Sequence, residues 1–154
     1  NSTVCALGYR LLPAFALAVG VAVDFFQPYF YNATTALRLI HYPSVEGFSS
    51  YDALGIQPHT DYGFITILAQ DQVCGLEIQL PDGCWMPIPY VPGVLIINIG
   101  DALARWTNDI FNSTPHRVVS PSSGVDRYSV AMFFDPDVGA VIRSLTQFID
   151  NKHP

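Results

Sequence analysis

Seven short apolar runs, each fenced by turn-forming residues, constrain this chain more than any other feature. They are Ala36–Tyr42, Phe64–Leu68, Leu76–Leu80, Trp85–Ile88, Val94–Ile99, His116–Ser120 and Tyr128–Phe134. Pro43, Pro81-Asp82-Gly83, Pro92-Gly93, Asn108-Asp109 and Ser122-Ser123-Gly124 separate them, and residues of these types end strands and close turns. Runs of this length without helical stretches between them argue for a sheet sandwich or barrel and against alternating β-α units. A double-sheet jelly roll is the expected member, because it gathers side chains from distant strands into one interior. Gln79–Trp85, with Asp82-Gly83 at its tip, reads as a hairpin. Upstream, Leu11–Phe30 reads as a helix and its exit, with Asp24 capping a short turn before Pro28.

Residues 1–154 are expected to form one domain, since the length suits a single core and no repeat, linker or low-complexity tract divides it. With 50% hydrophobic and 13% charged residues, disorder is excluded. A net charge of −6 and seven scattered basic residues exclude a nucleic-acid or anionic-membrane partner. Val4–Val23 is interrupted by Arg10 and Pro13 and is too short to span a bilayer, so a buried amphipathic helix is expected there. Cys5, Cys74 and Cys84 are odd in number and lack metal-type spacing, which predicts free, largely buried thiols in a reducing, cytoplasmic setting. The sequons at Asn32 and Asn112 are common by chance, and the second lies beside His116.

His59 and Asp61 stand two positions apart, and on a strand such a pair projects from one face. His116, opening a strand after Pro115, is the best third partner. His153 lies in a polar tail, and His41 faces away from Arg38, Ile40 and Tyr42 if Ala36–Tyr42 is one strand. Two imidazoles and a carboxylate suit a ferrous ion with open positions, and a zinc hydrolase equally. Arg127 and Ser129 decide between these readings. They too share a strand face, eleven residues beyond His116, and offer a guanidinium fork and a hydroxyl to a carboxylate. The same parity continues to Phe133 and Asp135, candidates for a substrate wall and a polar substrate contact, against plain readings as a core aromatic and a turn residue before Pro136.

At these residues the chain resembles the iron(II)- and 2-oxoglutarate-dependent oxygenases, in the branch containing isopenicillin N synthase and the plant flavonoid and gibberellin oxygenases. The likeness runs through Leu37-Arg38-Leu39-Ile40-His41-Tyr42-Pro43, His59-Thr60-Asp61-Tyr62-Gly63, Asn98-Ile99-Gly100-Asp101 and Ser113-Thr114-Pro115-His116-Arg117-Val118. It implies a double-stranded β-helix, cupin-like, with the N-terminal helix packed on it. It also implies iron held by His59, Asp61 and His116, with Arg127, Ser129 and Tyr42 receiving the distal carboxylate of 2-oxoglutarate. With dioxygen, such a site couples decarboxylation of the cosubstrate to hydroxylation, desaturation or ring closure of a small organic molecule.

Two alternatives stay open: an iron oxidase of the same family that consumes no 2-oxoglutarate, and a metal-binding fragment without activity. Members of the family normally carry a further N-terminal region over the core and a closing C-terminal helix, both expected to be missing here. An apolar patch is accordingly expected along Leu11–Phe26 and the outer face of the neighbouring sheet, where that region would pack.

Overall fold

The computed structural model describes residues 2–45, 54–121 and 124–150, so His153 and the Ser122-Ser123 part of one expected turn lie outside the described residues. Helix α1 spans Ser2–Ala18, so the helix lies further toward the N-terminus than Leu11–Phe30. Its end is set by Gly20, whose φ of 74° belongs to the left-handed region. The Gly20 N–H donates to the Leu17 carbonyl at 3.1 Å and the Val21 N–H to the Ala16 carbonyl at 3.0 Å, the paired closure of a helix C-terminus. Pro13 sits inside α1 rather than breaking it. It removes one helical N–H, and burial of Leu12 and Ala16 on either side offsets that loss. Asp24 does not cap the following turn with its side chain. The 3-10 turn Gln27–Phe30 follows Phe26, and Asp24 contributes its carbonyl to the Gln27 N–H at 2.9 Å.

Among the described residues eight strands follow: β1 Thr34–Tyr42, β2 Leu54–His59, β3 Ile65–Gln70, β4 Leu76–Gln79, β5 Trp85–Pro87, β6 Ile96–Ile99, β7 His116–Val119 and β8 Arg127–Asp135. A short helix, α2, spans Asp101–Trp106 between β6 and β7. The strands form two four-stranded antiparallel sheets, β1-β8-β3-β6 and β2-β7-β4-β5. This is the mainly β, double-sheet architecture that the seven runs predict. The β4–β5 hairpin pairs Gln79 with Trp85, and Gly83 takes a φ of 86° at its tip. β2 and α2 are not among the expected elements. β2 carries Gly55 and Pro58 and is mostly exposed, which blurs its period, and it is an edge strand, where proline is tolerated. Six residues are too few for α2 to show a helical period.

The main core does not lie between the sheets. Leu12, Ala16, Phe26 and Phe30 pack with Ile65, Ile67, Met132 and Phe134 on the outer face of the β1-β8-β3-β6 sheet, with Leu103 and Trp106 of α2. Between the sheets, among the described residues, only Tyr42, Leu76 and Val118 form a fully buried apolar cluster. The fold is therefore held mainly from outside the first sheet, and the space between the sheets is left hollow. On the outer face of that sheet, beyond the main core, Leu37, Leu39, Tyr128 and Val130 stay exposed, as does Leu17 of α1. The three thiols are free, but Cys74 and Cys84 are exposed, because both fall in connections rather than in the core.

Candidate functional site

His59 ends β2 directly opposite His116, which opens β7. Cross-strand pairing brings the two imidazoles to 4.3 Å between ring centroids. Each ring is held by a main-chain carbonyl two residues upstream: His59 Nδ1 lies 2.8 Å from the Gln57 oxygen, and His116 Nδ1 lies 3.1 Å from that of Thr114. A carbonyl only accepts, so Nδ1 carries the proton and the Nε2 lone pair of the neutral ring is left to face the cavity.

Asp61 reaches the same point from a turn rather than from the strand, since β2 stops at His59. Its Oδ1 is 4.0 Å from His59 Nε2 and 3.8 Å from His116 Nε2. Ligands about 2.0–2.2 Å from one ion stand roughly 3 Å apart at a right angle and about 4 Å apart when opposed. The two aspartate–histidine distances thus sit at the wide end of what a single ion bridges, and all three ligand atoms lie within 4.8 Å of one another. The second oxygen, Oδ2, accepts from Thr66 Oγ1 at 2.7 Å and from Asn98 Nδ2 at 2.7 Å. One oxygen is therefore anchored and the other is presented.

The Asp61–Phe64 turn is fixed from three sides. Phe64 is fully buried and meets Phe15, Phe26, Phe30 and Trp106 at centroid distances of 5.0–5.7 Å. Asp101 and Ala102, at the start of α2, donate their otherwise unpaired N–H groups to the carbonyls of Asp61 (2.7 Å) and Gly63 (3.0 Å). Asp135 Oδ1 accepts the Phe64 N–H at 2.8 Å. That carboxylate lies so close to Gly63 that a Cβ there would fall 1.7 Å from Oδ1, so only glycine fits. Burial pushes the Asp135 carboxyl above its ordinary range, the Phe64 N–H draws it back down, and the Asp61 charge adds a smaller upward push.

The inward-facing residues of the first sheet form rows. Ala36, Phe133, Thr66 and Asn98 make one, and Arg38, Ala131, Leu68 and Ile96 the next. Ile40, Ser129 and Gln70 follow, then Tyr42 and Arg127. Arg127 is only 1% exposed, and its guanidinium lies 4.9 Å from the Tyr42 ring centroid. Nη2 donates to Gln70 Oε1 at 3.2 Å, while the buried Nε and Nη1 have no partner among the described residues. Gln70 is itself tied by Nε2 to the carbonyls of Ile88 and Pro89 at 3.4 and 3.3 Å. Buried, unpaired donors on a charged group are costly unless a ligand fills them, and an open N–H of a guanidinium suits a carboxylate oxygen.

His59, Asp61, His116, Tyr42, Arg127, Ser129 and Phe133 all line one cavity between the sheets. Asp135 is not among its lining residues and acts on the turn behind Asp61. His41 points outward, 2.8 Å from Asp126 and stacked on Tyr128. Nothing in the sequence singles out Thr66 or Gln70, since a threonine and a glutamine in strands carry no chemical signature. Asn98 does fall within a stretch shared with the oxygenases.

Residues 33–136 match the family model described as the 2OG-Fe(II) oxygenase superfamily. A 2-oxoglutarate-Fe(II) type oxidoreductase of Metarhizium majus is 41% identical over 147 residues, covering 90% of this chain and 42% of the relative. A full-length Neurospora crassa protein, solved with α-ketoglutarate and thymine, superposes with a TM-score of 0.89 at 32% identity, over 98% of this chain and 48% of that one. The dioxygenase for auxin oxidation 1 of Arabidopsis thaliana, solved with 2-oxoglutarate, gives 0.83 at 31% identity, over 97% and 55%. The chain spans about half the length of the proteins it resembles.

Proposed function

The chain belongs to the 2-oxoglutarate and iron(II) oxygenase superfamily, and on that premise we propose that it forms the catalytic core of an enzyme oxidising a small organic substrate by hydroxylation, desaturation or ring closure. The observation that carries this reading is the pairing, in one cavity, of the histidine–aspartate cluster with a buried arginine whose Nε and Nη1 are unfilled. His59, Asp61 and His116 hold the iron, and Arg127, Ser129 and Tyr42 hold the distal carboxylate of 2-oxoglutarate. Iron(II) with this cosubstrate supplies the activation of dioxygen, coupled to decarboxylation to succinate.

The residues of the chain do the rest. Gln57 and Thr114 set the histidine tautomers, Thr66 and Asn98 commit one oxygen of Asp61, and Gln70 aims the Arg127 fork. Phe133 forms a wall of the substrate space, while Asp135 positions the turn that carries Asp61. Shared sequence stretches support the isopenicillin N synthase-like branch. The free, partly exposed thiols support a cytoplasmic setting, and no helix among the described residues is long and apolar enough to cross a membrane. Exposed Leu37, Leu39 and Val130 supply a face for a further region of the same protein. Anaerobic titration of the full-length protein with iron(II) and 2-oxoglutarate tests the reading. A visible charge-transfer band is expected, and its absence, with no succinate formed during turnover in air, refutes it.

A further inference from the structure

Arg38 is the second arginine of the cavity. It occupies the inward position of β1 opposite Ala131, one row from Phe133, Thr66 and Asn98 and two rows from Arg127. Its guanidinium lies 5.1 Å from the Phe133 ring centroid, an arrangement that holds the planar group while leaving its edge donors free. The side chain is exposed. Among the described residues no carboxylate comes within ion-pair distance of it. Among the described residues Asp61 is the only acid lining the cavity, with one oxygen held by Thr66 and Asn98 and the other facing the histidines.

An open, solvated Arg38 costs little by itself. When a substrate fills the cavity and displaces water, the same charge becomes expensive unless the incoming molecule brings an anion. The neighbouring walls, Leu68, Ile78, Ile96, Ala131 and Phe133, are apolar and suit a hydrocarbon body. β1 stands two strands, roughly 10 Å, from β3, which carries the Thr66 grip on Asp61, so Arg38 faces the same cavity from across the sheet.

We propose that Arg38 is a specificity-determining residue that receives a carboxylate of the primary substrate, so that the substrate class is an apolar organic acid. The proposal rests on the reading of this cavity as the iron and 2-oxoglutarate site. Bidentate recognition of a carboxylate by Arg38 is worth roughly ten- to a hundredfold in affinity.

The test uses full-length protein loaded with manganese(II) and 2-oxoglutarate, so that nothing turns over, and calorimetric titration with three acid–amide pairs: phenylacetate and phenylacetamide, cinnamate and cinnamamide, octanoate and octanamide. At least one acid is expected to bind ten times or more tighter than its amide. Arg38→Gln should bring that ratio near one, leaving the amide and 2-oxoglutarate affinities within about twofold, and Arg38→Lys should restore part of it. The proposal is overturned if no acid outbinds its amide, if the preference survives in Arg38→Gln, or if Arg38→Gln loses 2-oxoglutarate, which would assign Arg38 to the cosubstrate. Arg127→Leu runs alongside: if it keeps wild-type 2-oxoglutarate affinity, the cosubstrate reading fails whatever Arg38 does.

Discussion

Arg127→Leu should separate the cost of a built site from its function. In the unliganded fold, two buried donors of Arg127 are unfilled, and each such group costs about 1–3 kcal/mol. Against that, the leucine forfeits the bond to Gln70 (3.2 Å), worth about 1 kcal/mol, and the contact with the Tyr42 ring (4.9 Å), worth about 0.5–2 kcal/mol. The residue is 1% exposed, so solvent screening does not dilute these figures. The unliganded variant should therefore lie between about 1 kcal/mol less stable and about 4.5 kcal/mol more stable than wild type. Cosubstrate binding moves the other way: a charge-assisted bond is worth roughly 1.5–3 kcal/mol, so 2-oxoglutarate should bind about one to two decades more weakly. Thermal melting with manganese(II), with and without 2-oxoglutarate, reads both terms, because a ligand stabilises in proportion to the logarithm of its saturation. A variant that melts well below wild type without ligand, yet keeps the full 2-oxoglutarate shift, would mean that Arg127 supports the fold and that its open donors are not a ligand site.

Thr66→Val and Asn98→Ala each remove one grip on Asp61 Oδ2 and should weaken manganese(II) binding roughly ten- to a hundredfold in direct titration, with little change in 2-oxoglutarate affinity once metal is saturating. Gly63→Ala drives a methyl group into the Asp135 carboxylate and should cost about 1–3 kcal/mol in urea unfolding; full stability would show that the turn yields freely. Asp126 is held below its ordinary value of 3.8, first by the Ser44 N–H and then by His41, so its contribution is present above that value and lost as pH falls through the lowered one. Asp126→Asn should thus match wild-type stability in strong acid, below the lowered value, and fall slightly behind once pH has risen past the ordinary one; parallel curves would remove the ion pair from the account.

Local pattern determined a good deal by itself. The period-two runs of β1 and β8 announce strands because alternation survives wherever one face meets a core and the other meets solvent or a partner. The same parity places Arg127, Ser129 and Phe133 on one face, as their rows in the sheet show. His116 and His59 were legible as residue types, and the shared stretches around them as a family likeness. What the sequence could not decide depends on chain segments far apart in number. Asp61 reaches the histidines from a turn, because α2, Asp135 and the Phe64 aromatic cluster hold that turn in place. The helix boundary follows from closure at Gly20 and from burial of Leu12 and Ala16, which outweigh the local preference of Pro13. Thr66, Asn98 and Gln70 gain their roles only from hydrogen bonds across 5, 37 and 57 positions, and Arg38 only from having no carboxylate near it among the described residues. A residue's type fixes which bonds it is able to make; which of them are made, and which stay open for a ligand, is set by the partners that folding brings within reach and the water it excludes.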